Sequence, residues 1–96
     1  MPSSKEYKDF ILEQLSLSGD ITFKPMMGEY LLYKNGVLFG GIYDDRLLIK
    51  ITKSNTNYGL NKALPYGGAK PMYLVEDLEN TEKLKNIVYD TYKDLI

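Results

Sequence analysis

From Ile21 to Ile51 the chain alternates apolar and polar residues with a period of two, broken at Met27-Gly28, Asn35-Gly36 and Asp44-Asp45. A period of two predicts strands, because successive side chains of an extended chain point to opposite faces. The breaks divide this stretch into four strands, at 21–26, 29–34, 37–43 and 46–52. Asn35-Gly36 is a strong two-residue hairpin signal, since both residues accept the positive φ that a type I′ turn demands. Pro25 has no N–H to give a ladder, so the first strand belongs at a sheet edge or ends there.

Elsewhere the period lengthens to that of a helix. Tyr7, Phe10, Ile11 and Leu15 form an apolar stripe. Ser3 and Glu6 have the spacing of a capping box, and Ser18-Gly19-Asp20 ends the run, which predicts a helix over 4–17. Leu84, Ile87, Val88, Thr91, Tyr92 and Leu95 predict a second helix over 81–95. Asp77, Glu79 and Glu82 place negative charge at its start, where the helix dipole favours it. Between them, Ser54–Leu64 has weak helical spacing, 65–71 is loop by its Gly and Pro content, and Met72–Glu76 reads as a fifth strand. The order implies one α+β domain over 1–96. Its two layers are an antiparallel sheet of about five strands and the N- and C-terminal helices, which cover one face.

The turns assign side chains to faces. Regular pairing across 35–36 sets Leu32 opposite Phe39 and Leu31 opposite Gly40. Pairing across 44–45 sets Gly40 opposite Ile49. One face then carries Leu31, Tyr33, Leu38, Gly40, Ile42, Leu47, Ile49 and Ile51 without a charge, and is expected to be the core. Gly40 in its middle suggests a helix backbone passing close by. The other face carries Tyr30, Leu32, Phe39, Tyr43 and Leu48, with Lys34, Arg46 and Lys50 among them. An apolar patch with aromatic and cationic residues is the usual make-up of a contact surface, so these five residues are the expected interface. The competing expectation is that residues 53–70 partly cover that face, with lysine stems lying over the rings.

Composition narrows the chemistry. Among 96 residues there is no Cys and no His, and the net charge is −1 with 11 Lys and one Arg. Disulfides and thiolate metal sites are excluded, and the commonest general base is missing. No nucleophile–base pair can be assigned, and the chain is expected not to be an enzyme. The slight acidity argues against binding nucleic acid through the whole surface. The N-terminal ten residues lack the apolar core of a signal peptide, and no run is long enough to span a bilayer, so a cytoplasmic protein is expected. The Lys-, Asn-, Ile- and Tyr-rich composition points to an AT-rich bacterial genome. Gly67-Gly68-Ala69-Lys70-Pro71 fails the phosphate-loop pattern, with Pro71 at the hydroxyl position. Asp44-Asp45 is explained by a turn, and neither metal nor cofactor is expected.

Four motifs stand in order: Lys24-Pro25-Met26-Met27-Gly28, then Tyr33-Lys34-Asn35-Gly36, then Ile42-Tyr43-Asp44-Asp45-Arg46-Leu47-Leu48-Ile49-Lys50, and later Ala69-Lys70-Pro71-Met72-Tyr73. This ordered set resembles the N-terminal domain family of the competence regulator TfoX (Sxy), over nearly the whole chain. The chain departs from the family pattern with Lys24 near the usual Arg and Met27 where Phe is typical. The resemblance implies an α+β fold similar to secretion-chaperone-like proteins, in a single-domain member with no known catalytic residues. The outer face of strands two to four makes a non-enzymatic interaction module the expectation, self-associating as a dimer or contacting a protein partner, and the resemblance implies that such a partner belongs to transcription regulation. The alternative is a binder of a small anionic ligand or single-stranded nucleic acid, using Lys24, Arg46, Lys50, Lys70 and the tyrosines.

Overall fold

A computed structural model describes residues 3–96. Helix α1 spans Lys5–Gln14 and is followed by a 3-10 turn at Ser16–Ser18. Its cap is Ser4, one residue later than the spacing suggested: the Ser4 side chain accepts from the Tyr7 N–H at 3.1 Å. Strands β1 (Ile21–Met26), β2 (Glu29–Lys34), β3 (Val37–Ile42) and β4 (Leu47–Ile49) follow. A 3-10 helix at Lys53–Tyr58, strand β5 (Asn61–Ala63), strand β6 (Met72–Val75) and helix α2 (Thr81–Lys93) complete the order. Asn80 caps α2 by accepting from the Lys83 N–H at 3.1 Å.

All six strands join one antiparallel sheet in the order β1-β2-β3-β4-β6-β5. That is one strand more than expected. The segment read as a short helix over 54–64 divides at Gly59, which takes a left-handed φ of 69°, and its second half pairs with β6. Each of the first three hairpins turns through two residues of positive φ: Met27 and Gly28, Asn35 and Gly36, Asp44 and Asp45. That geometry matches the right-handed twist of the flanking strands. Pro25 lies in β1, at the edge of the sheet.

The expected face assignment of β2 is wrong, and a bulge is the cause. Tyr33 pairs with Leu38 as the turn predicts, but Leu32 then pairs with Gly40, leaving Phe39 as an extra residue in β3. One inserted residue reverses every side chain beyond it. Leu32 and Phe39 therefore point into the core, both fully buried, beside Ile42, Leu47 and Ile49, which lie inward as predicted. Ile11 and Leu15 from the α1 region and Leu84, Ile87 and Val88 from α2 pack on them. Leu31, Tyr33, Leu38 and Ile51, expected inside, lie outside this core. Gly40 is crowded by the backbone of β4 rather than by a helix: a Cβ there would sit 2.3 Å from the Leu48 carbonyl oxygen.

Two polar ties close the layers. Asn55, fully buried, donates to the Lys50 carbonyl and to Thr91 Oγ1, each at 2.8 Å, and accepts from the Thr52 N–H at 2.9 Å. Glu29 accepts from the Ser3 N–H at 2.9 Å, the Ser3 hydroxyl at 2.8 Å and the Asp44 N–H at 3.0 Å. Asp45 accepts from the Ser4 N–H at 2.9 Å. The start of α1 is thus fastened to the β3–β4 turn, so both aspartates serve a turn and its contacts. Among the described residues no group of three metal-binding side chains occurs, and no helix is long and apolar enough to cross a membrane.

Candidate binding groove

The helices cover one face of the sheet. On the opposite face Leu48 lies between Gly41 and Leu74 in adjacent strands. The Tyr43 ring leans over Gly41, where a Cβ would come within 2.7 Å of it. This face is not left bare. The eight-residue connection from β5 to β6, residues 64–71, folds back over it and brings the Tyr66 ring to 6.4 Å from that of Tyr43. Arg46 fastens the connection: its guanidinium donates to the Leu64 carbonyl at 2.9 Å and to the Tyr43 carbonyl at 3.2 Å.

The five residues expected to form an interface are consequently not an exposed patch. Leu32 and Phe39 belong to the core. Tyr30 packs against the core from its rim, edge-on to Phe23 at 5.8 Å and beneath the Lys8 ammonium at 5.7 Å. Tyr43 and Leu48 do lie on the outer face, but both are buried, Leu48 completely. Lys34, also expected outward, turns to the helix side, donates to the Ser18 carbonyl and sits 5.4 Å from the Tyr92 ring. The competing expectation, cover by the later segment, describes this face better. The cover comes from its last part and carries an aromatic ring of its own.

Between the connection and the sheet lies an open groove of about 440 Å³. Its walls are Tyr43, Tyr66, Leu38 and Ile51 with Pro65, Pro71 and Met72, and Lys50 and Lys70 also line it. The lining includes no carboxylate. Among the described residues neither lysine makes an ion pair. The Lys50 backbone is held on both sides, its N–H by the Phe39 carbonyl at 2.9 Å and its carbonyl by Asn55. Burial raises the Tyr43 phenol above its ordinary pKa, and Tyr66, Glu29 and Tyr33 add to the effect, so it stays neutral at physiological pH. A neutral phenol, two cations and an apolar floor suit an amphipathic anion.

Of the four cations singled out in the sequence, the structure brings Lys50 and Lys70 together. Arg46 is spent on the connection, and Lys24 stands exposed on β1, three strands from β4. Tyr66 is the residue sequence reasoning missed. Its signal was a lone aromatic in a run of Gly, Pro and Ala that otherwise reads as plain loop.

Comparison with known proteins agrees with the architecture. A family model described as the TfoX N-terminal domain matches residues 13–94. A protein of Spirochaeta aurantia, described as an uncharacterized 12.7 kDa protein in the trpE 5' region, is 29% identical over 80 residues, which is 81% of this chain and 70% of that one.

Proposed function

This chain belongs to the TfoX N-terminal domain family, and from that premise we propose that it is a non-enzymatic binding module of the cytoplasm. It takes part in transcription regulation by contact, and its binding element is the groove between residues 64–71 and the outer sheet face. One observation carries this reading: two lysines without ion pairs among the described residues line an apolar, tyrosine-walled groove that holds no carboxylate. The same juxtaposition favours an anionic occupant over a neutral one.

The test is to replace Tyr66 by the photo-crosslinking residue benzoylphenylalanine in cells of the source organism. The control position is Lys85, exposed on α2 across the sheet. A defined adduct at position 66 that is absent at 85 and lost on Lys50→Glu or Lys70→Glu supports the groove as the binding element. The same adducts at both positions, or adducts indifferent to charge reversal, overturn it.

A second reading, contact with a protein partner or a second copy, is favoured by the open edge of the sheet. Phe23, Met26 and Met27 are exposed there, and Met27 is 96% exposed at a φ of 53°. The turn sets the φ of Met27 and leaves its side chain in water at the end of the edge strand, beside the exposed Phe23 and Met26. Light scattering of the wild type and of Met27→Glu tests it for self-association: a dimer that the substitution dissolves supports it, and a strict monomer in both removes it.

A further inference from the structure

The groove also indicates what kind of anion it takes. Resting on the reading of the groove as the binding element, we infer that its occupant is a small organic anion with a planar aromatic body, the chemistry shared by nucleoside monophosphates and aromatic carboxylates.

Size comes first. The open groove offers about 440 Å³. Pockets for small ligands run from roughly 300 to 1,000 Å³. A lone inorganic ion would leave most of this space empty and its apolar floor wet. Shape is the second point. The Tyr43 and Tyr66 rings stand 6.4 Å apart and 54° from parallel, so they do not stack on each other. Tyr66 keeps 63% of its surface exposed and can offer a ring face to a flat guest. Aromatic faces hold planar groups by offset stacking and accept many ring types.

Charge is the third. Lys50 enters from the sheet and Lys70 from the connection, so the two cations belong to different walls. The lining offers no arginine fork, and lysine binds an anion as a point charge rather than by a fixed bidentate geometry. Such a site accepts either a phosphate or a carboxylate and draws its selectivity from the flat body. A long polynucleotide is disfavoured by a net charge of −1 and by the single Arg, whose guanidinium is already engaged with Leu64.

The experiment is an amide NMR titration of the full chain with four probes: adenosine monophosphate, 2-naphthoate, inorganic phosphate and neutral 2-naphthalenemethanol. The expected result is that adenosine monophosphate or 2-naphthoate moves the amides of 38–40, 50–51, 66–70 and 72. Phosphate and the neutral alcohol should bind about tenfold more weakly or worse. Whichever planar anion is preferred separates a phosphate-bearing ligand from a carboxylate-bearing one. Lys50→Ala and Lys70→Ala should each weaken binding about tenfold, the usual range for losing a charged hydrogen-bond partner. Tyr66→Ala should erase the advantage of the planar anions over phosphate. The inference falls if neither planar anion shifts these amides at about 5 mM, or if both lysine variants bind as the wild type does. A failed titration beside a retained, charge-dependent crosslink at position 66 discards the ligand class and keeps the groove. Failure of both discards the functional reading as well.

Discussion

Individual side chains explain the expected response to pH. Tyr58 donates to Asp90 at 2.5 Å, and the Lys93 ammonium lies 3.1 Å from the same carboxylate. The Tyr58 hydrogen bond first, and Lys93 after it, hold Asp90 below the ordinary carboxylate range. Asp94 is lowered as well, chiefly by the Ser54 N–H that it accepts at 2.7 Å. A carboxylate whose folded pKa is depressed stabilises the protein above its unfolded value of about 3.9, and that stability is lost as the pH falls through the folded value. Tyr58 has the opposite sign. Burial, then the Asp90 contact, pushes it up to about 12. Its contribution is present below the unfolded value of about 10 and disappears as the pH climbs towards the folded one. Thermal unfolding followed across pH should show both limbs. Tyr58→Phe should flatten the alkaline limb and part of the acid one, and an unchanged alkaline limb would contradict the assignment.

At the scale of elements the decisive feature is the bulge in β3. Because it turns Phe39 inward, Phe39→Ala should cost about 3–5 kcal/mol, as for other buried aromatics. Leu38→Ala, at a half-buried outer position, should cost only about 1 kcal/mol. Denaturant midpoints of the two variants measure the difference, and an unbulged ladder would reverse their order. Arg46→Ala should loosen residues 64–69, read as faster amide exchange there, with a change in global stability of about 1 kcal/mol or less. Much of this level was legible in the sequence. The two-residue turns, the β4 register, the edge position of β1 and the C-terminal helix follow from local chemistry that the fold left in place. The bulge was not legible, since Val-Leu-Phe-Gly-Gly-Ile satisfies a regular strand on either register and only packing against Ile49 and the helices decides between them. β5 escaped for a related reason. Asn61-Lys62-Ala63 has no strand pattern of its own and is extended because β6 offers it a partner. The groove was half visible: both lysines were marked by their motifs, while the tyrosine that lines it with them depended on where a Gly- and Pro-rich connection came to rest.

Across the whole molecule, Ser3 and the β3–β4 turn meet at Glu29. Glu29→Ala removes one acceptor from three donors at once and should cost about 2 kcal/mol. The loss should appear first as faster amide exchange over residues 3–9, before the sheet responds. Loss of sheet protection at the same rate would mean that α1 has no separate opening. The sheet itself divides the labour of the chain, because the packing that sustains the fold and the groove we propose for a guest occupy its two sides. Descendants of this domain could therefore rewrite Pro65 through Lys70 and acquire new specificities while the helix-covered side, untouched, kept them folded.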